Sequence, residues 1–138
     1  MATDGFHTLA LRSDGTVWSW GVDDLGQLGN GKSEEFDNLP SQVVGPDGQG
    51  HLEDVVSIAA GGGFSMARLA DGSIWTWGEN SSGQLGIGNA TGPSVCTSEH
   101  TPCSLVPVQV KGADGVGHFS GSVAISAGQE HAAALRAP

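Results

Sequence analysis

Residues 7–31 repeat as residues 64–88, and this repetition constrains the fold more than any other feature of the chain. At an offset of 57 the two stretches share 11 identities in 25 positions without a gap. The identities are Ala10/Ala67, Asp14/Asp71, Gly15/Gly72, Trp18/Trp75, Trp20/Trp77, Gly21/Gly78, Gly26/Gly83, Gln27/Gln84, Leu28/Leu85, Gly29/Gly86 and Gly31/Gly88. A third start follows. Ile58–Gly61 recurs as Ile125–Gly128 at an offset of 67, and His131, Ala134, Leu135 and Arg136 repeat His7, Ala10, Leu11 and Arg12. A fixed unit of this size means one supersecondary element stacked on its own copies. The units run over about 4–60 and 61–127, with a third opening at 128–138. The ten extra residues of the second unit fall within 89–105, which reads as a loop insertion.

Each unit carries short β-prone runs. Thr8–Leu11 and Thr16–Trp20 flank Ser13–Asp14–Gly15, and the second copy has Ala70–Asp71–Gly72 in the same place. Asp-Gly between apolar runs predicts a hairpin, because Gly takes positive φ at no steric cost. Trp18 and Trp20 share one strand face, as do Trp75 and Trp77, while Val17 and Ile74 lie on the other. Strands apolar on both faces belong to sheets packed between neighbours, as in radially stacked blades. The tryptophans are therefore expected in the core, although exposed indoles also stack on sugars or peptides.

The bend at Gly26–Gly29 and Gly83–Gly86 places Leu28 and Leu85 as plugs beneath it. Gln27 and Gln84 are expected to bond backbone groups that the bend frees. Pro40 and Pro107 mark outer, edge-like strands, since proline cannot donate to a ladder. Val55–Ala60 and Val123–Ala127 are small and apolar and read as inner strands. Four strands per unit follow, so the fold class is all-β, with propeller blades of four antiparallel strands.

Composition agrees. Hydrophobic residues are 38% and charged residues 14% of the chain, and glycine alone supplies 23 of 138 residues. That pattern suits many turns and short strands rather than long helices. Five basic against 15 acidic side chains give a formal charge of −10. Such a surface repels phosphate backbones and so argues against direct nucleic-acid binding; it suits solubility or a basic partner. No apolar run approaches the roughly 20 residues of a membrane helix, and no charged start leads into an apolar stretch.

Candidate chemistry is sparse. His7 and His131 hold equivalent repeat positions and are expected to be framework hydrogen-bonders; His51, His100 and His118 fall in loops. No nucleophile, base and orienting acid assemble, so no catalytic residue and no cofactor are assigned. Asp23, Asp24, Glu34, Glu35 and Asp37 form a carboxylate-rich loop without the calcium-loop spacing. Cys96 and Cys103 are seven positions apart. They read as a loop disulfide, which implies an extracellular or periplasmic setting, or as two metal ligands around His100. The latter set lacks a fourth ligand. Asn80 and Asn89 open glycosylation-type triplets. The variable segments 22–25, 30–38, 45–54, 79–82, 89–105 and 112–121 are the expected contact surfaces, with 89–105 foremost.

The carrying motif is His-Thr-Leu-Ala-Leu-x-x-Asp-Gly-x-Val-Trp-x-Trp-Gly-x-x-x-x-Gly-Gln-Leu-Gly at 7–29, with its second copy at 64–86. It resembles the repeat family named after the regulator of chromosome condensation. Phe64 departs from it where His7 and His131 stand, and Asp4 takes the place of an expected glycine. The resemblance implies about two repeats of a seven-bladed propeller whose common activity is holding a protein partner on one face. Members of the family include a nucleotide exchange factor for a small GTPase, enzyme-inhibiting propellers and ubiquitin-ligase modules. A non-enzymatic protein-binding scaffold is thus the expected function. An exchange factor and a secreted carbohydrate-binding or enzyme-inhibiting propeller are the alternatives. Open blade edges predict self-association, or completion by further repeats of a longer propeller.

Overall fold

The computed structural model describes residues 1–3, 5–97 and 99–136. Asp4 lies outside these residues. Eleven strands are described: β1 (Ala2–Thr3), β2 (His7–Leu11), β3 (Val17–Val22), β4 (Phe36–Gln42), β5 (Val55–Ala60), β6 (Phe64–Leu69), β7 (Ile74–Glu79), β8 (Ser94–Cys96), β9 (Thr101–Gln109), β10 (Ser122–Ala127) and β11 (Ala132–Arg136). They form three antiparallel sheets, β1-β2-β3-β4, β5-β6-β7-β9-β8 and β10-β11.

The Asp-Gly hairpins set the register of β2/β3 and β6/β7. His7 pairs with Gly21 and Leu11 with Val17; Phe64 pairs with Gly78 and Arg68 with Ile74. At each turn the aspartate accepts bonds from the residue two further on. Asp14 Oδ1 takes the Thr16 amide and hydroxyl, and Asp71 Oδ1 takes those of Ser73. Gly15 and Gly72 both have φ of +84°, where a side chain would be strained.

Sheets stack face to face. β2 packs on β5, and β10 packs on β5 and β6. Strand alternation then assigns each side chain to a seam. Leu9, Val17, Val43, Leu52 and Val55 meet Ala67 and Trp77 in the first seam. Phe64, Met66, Ile74 and Leu85 meet Val108, Phe119 and Ile125 in the second. The middle sheet is thus covered on both faces, as the sequence predicts. The first sheet is covered on one, so Trp18 and Trp20 are half-buried while Trp77 is fully buried; Trp75 is half-buried as well. Of the four tryptophans expected in the core, Trp77 alone is fully buried; the uncovered face accounts for Trp18 and Trp20, but not for Trp75, which lies on the middle sheet. Arg12 lies over the Trp18 ring, 5.9 Å from its centroid.

Two other sequence expectations change. Segment 89–105 is not loop alone: β8 pairs with the first part of β9, extending the second sheet by one strand. Segments 45–54 and 112–121 are equivalent turns rather than variable surfaces. Gly45 N donates to Gly50 O and Gly112 N to Gly117 O, and Val44/His51 and Lys111/His118 form matching bridges. At an offset of 67 they read Gly-x-Asp-Gly-x-Gly-His in both copies, with Leu52 aligned to Phe119.

Candidate interaction site

The seam between the first two units engages His7, Gln27, Ser65 and Trp77 in one hydrogen-bonded group. The Gln27 carbonyl accepts two bonds from the second unit: Ser65 Oγ donates at 2.8 Å and Trp77 Nε1 at 2.9 Å. His7 Nε2 lies 2.9 Å from Ser65 Oγ. The single hydroxyl hydrogen of Ser65 is committed to Gln27, so His7 Nε2 donates, which fixes the tautomer. Gly29 leaves room for the indole; a Cβ there would stand 2.7 Å from Trp77 Nε1.

The bend itself is held alike in both units. The Gln27 side-chain oxygen accepts from Leu25 N at 2.8 Å, and that of Gln84 from Ser82 N at 2.9 Å. Leu28 and Leu85 are fully buried beneath. Ser19 Oγ donates to the Leu28 carbonyl and Thr76 Oγ1 to that of Leu85. Asp23 and Asn80 are framework residues that sequence reasoning placed in loops. Asp23 Oδ1 accepts from Leu28 N at 3.1 Å and Asn80 Oδ1 from Leu85 N at 3.0 Å. Both side chains are fully buried. Asn80 also donates from Nδ2 to the carbonyls of Asn89 and Thr91, so its triplet is closed to glycan attachment in the folded state. Their shared spacing, five residues before a plug leucine, was the signal available in the sequence.

At the second seam the pattern is incomplete. His131 is exposed, unlike His7. Its ring covers Gly128, as the Phe64 ring covers Gly61, so a Cβ at either glycine would collide with the ring. Beside Gln84 and Gly86, the repeat equivalents of Gln27 and Gly29, lies a cavity of about 320 Å³. Met66, Ile74, Phe119 and residues of β11 also line it.

The surface candidate is where the two units differ. Asp24, Ser33, Glu34 and Glu35 of the first unit and Thr97 of the second line a shallow cleft of about 260 Å³. Phe36 on β4 is 52% exposed, Leu39 on β4 74% and Val95 on β8 63%. Cys96 and Cys103, with Cα atoms 6.0 Å apart, are joined by a disulfide that closes the β8–β9 hairpin. The two cysteines are therefore not metal ligands. Among the described residues, no three His, Cys, Asp or Glu side chains are grouped so as to hold a metal ion. Among them, too, no helix is long and apolar enough to cross a membrane.

Burial pushes the Asp23 carboxyl up to about 7, and the charges of Glu34 and Asp37 push in the same direction. The Leu28 amide and the Asn30 side chain oppose that shift. Asn30 is not in hydrogen-bonding geometry with Oδ2, which is buried without a partner.

Face-to-face antiparallel sheets joined by equivalent turns define successive blades of a β-propeller. The family model of the regulator of chromosome condensation (RCC1) repeat matches residues 14–68 and 71–135, and a second model of the same repeat matches 55–84. The chain belongs to the RCC1 repeat family. It is 39% identical over 88 residues to the human E3 ubiquitin-protein ligase HERC2, which covers 64% of this chain and 2% of that protein. It is 39% identical over 85 residues to human protein RCC2, covering 62% of this chain and 15% of RCC2. The chain thus spans a small part of these relatives.

Among solved structures, yeast RCC1 (Prp20) bound to Kap60 superposes with a TM-score of 0.76 at 22% identity. The match covers 97% of this chain and 29% of that one. A second structure of Prp20p from Saccharomyces cerevisiae, described with its binding properties to Gsp1p and histones, gives 0.75 at 23% identity, covering 97% and 30%. These likenesses establish the propeller fold.

Proposed function

We propose that this chain is the protein-binding part of a propeller and that its contact surface is the cleft between segment 30–38 and the β8–β9 hairpin. One observation carries this reading. The polar groups shared by the repeats are used up inside the seams, whereas residues peculiar to each unit, Asp24, Ser33, Glu34 and Glu35 in one and Thr97 in the other, line one exposed cleft, and Phe36 and Val95, next to Glu35 and Cys96 in the chain, are exposed. Carboxylates beside exposed apolar side chains suit a basic protein segment with an apolar anchor. A net charge of −10 favours the same class of partner. The reading is a scaffold rather than an enzyme.

The test is capture of partners by the native chain and by a variant in which 94–103 is replaced by a short Gly-Ser link. Loss of the captured set supports the surface; an unchanged set contradicts it. A second reading, nucleotide exchange on a small GTPase, is supported by the likeness to Prp20p, described as binding Gsp1p. Accelerated nucleotide release from a GTPase in the presence of the chain would favour it over simple scaffolding.

A further inference from the structure

Asp23 and Asn80 stand at one repeat position and do one job in common: each accepts the amide of the plug leucine through Oδ1. Their second atoms differ. Asn80 Nδ2 donates to the carbonyls of Asn89 and Thr91 and so ties the following connection to the bend. Asp23 Oδ2 is buried and makes no hydrogen bond. An ionised carboxylate can only accept, whereas a neutral one can also donate. Ionised, Asp23 is a buried charge with an idle oxygen; neutral, it has the donor that Asn80 has.

The surroundings favour the neutral form. Glu34 and Asp37 act on it electrostatically, and Asp24 adjoins it in the chain. The Asp23 backbone is tied to the same acidic segment: its carbonyl accepts from Glu34 N and its amide donates to Glu35 O. From the second unit, Ser104 and Leu105 of β9 pack at Gly26 and bring no ionisable group.

We propose that Asp23 is a proton-operated latch: neutral, it holds segment 30–35 against the bend as Asn80 permanently holds 89–91, and ionised, it releases that segment. The upward displacement of its carboxyl to about 7 puts the changeover near neutrality. The first unit's side of the acidic cleft, Ser33 to Glu35, is therefore ordered by acid and loosened by base. The second unit's connection is not. This inference stands on the Asp23/Asn80 comparison and does not depend on what binds the cleft.

Amide hydrogen exchange on the full chain tests it, after correction for the intrinsic pH dependence of exchange. Opening that exposes Asp23 lets it ionise, so protection of amides 32–35 falls by up to about tenfold per pH unit between pH 5 and 7 and levels off above. Protection of 89–91 stays flat. Asp23→Asn abolishes the pH dependence in the first unit, and Asn80→Asp creates one in the second. Carboxyl NMR of the unaltered chain gives a check independent of the variants: the Asp23 signal titrates near 7. A flat 32–35 profile in the native chain, an undiminished slope in Asp23→Asn, or an Asp23 midpoint near 4 overturns the proposal.

Discussion

The indole nitrogen of Trp77 donates to the backbone carbonyl of Gln27 across the seam between the first and second units, 2.9 Å away. Fifty positions separate the two residues, yet each belongs to a motif present in both units. The repeat is therefore held together by the same residues that define it. The tryptophan of one unit closes the glycine bend of the unit before.

Trp77 and Trp20 occupy one repeat position in different surroundings. Trp77 is fully buried in the first seam; Trp20 is half-buried on the uncovered face of the first sheet. Trp77→Ala is expected to cost about 3–5 kcal/mol, as for other large core truncations. Trp20→Ala is expected to cost less than about 2 kcal/mol. Urea unfolding of the two variants, followed by circular dichroism, checks the order.

Ser65→Ala should be costly for its size. It removes a donor from the Gln27 carbonyl and takes away the hydroxyl that the His7 ring meets in a buried seam. A loss of about 1–3 kcal/mol is expected. Thr8 holds the same repeat position on the outer face, and Thr8→Ala serves as the control, with a smaller loss.

Much of this architecture was legible in the sequence, and the reasons are local. Asp14–Gly15 and Asp71–Gly72 specify hairpins by themselves, and Leu28 and Leu85 sit in bends that glycine spacing defines. What was not legible depends on which sheet faces which. Trp20 and Trp77 are identical in sequence, and only the covering unit distinguishes them. Asp23 was grouped with exposed carboxylates because charge suggests solvent; its burial follows from the Leu28 amide that it accepts. The turns at 45–54 and 112–121 were missed because they match only at the longer offset, beyond the ten added residues. The Val95-bearing strand β8 was missed because a polar, Cys-flanked segment reads as loop.

Glycines with one φ but different neighbours separate backbone strain from crowding. Gly72 and Gly31 have φ of +84° and +83°. A Cβ at Gly72 would stand 3.0 Å from Gly121 N, whereas one at Gly31 meets nothing within 4 Å. Both alanine variants pay roughly 1–2 kcal/mol for the left-handed conformation. Gly72→Ala should pay a further crowding cost, visible as a lower Tm than Gly31→Ala.

Reduction should act locally. With Cys96 and Cys103 joined, thiol reagents label neither until a reductant is added. After reduction, or in Cys96→Ser with Cys103→Ser, β8 should lose exchange protection while β5–β7 keep theirs. A bridge intact in protein taken directly from its source would place the chain in an oxidising compartment, extracellular or periplasmic.

The acidic groups pull stability in opposite directions with pH. Asp23 has its folded pKa raised from 3.8 to about 7, so its stabilising contribution is present at low pH and is lost as pH rises from about 4 to about 7. Asp14 and Asp71 are held below the usual carboxylate range by bonds from Thr16 and Ser73. Their contribution is present at neutral pH and is lost in acid, and it is small because both are exposed. Asp23→Asn should therefore exceed the native Tm by a margin that grows from pH 4 to pH 7 and then holds constant.

The stacking of the two units as successive blades is tested most directly by NMR contacts of the Trp77 indole. Cross-relaxation from its Hε1 to the Gly29 α-hydrogens and to Gln27, with slow exchange of Hε1 into deuterated solvent, is the predicted result. An indole that contacts residues of its own unit alone, with Hε1 exchanging freely, would contradict the account.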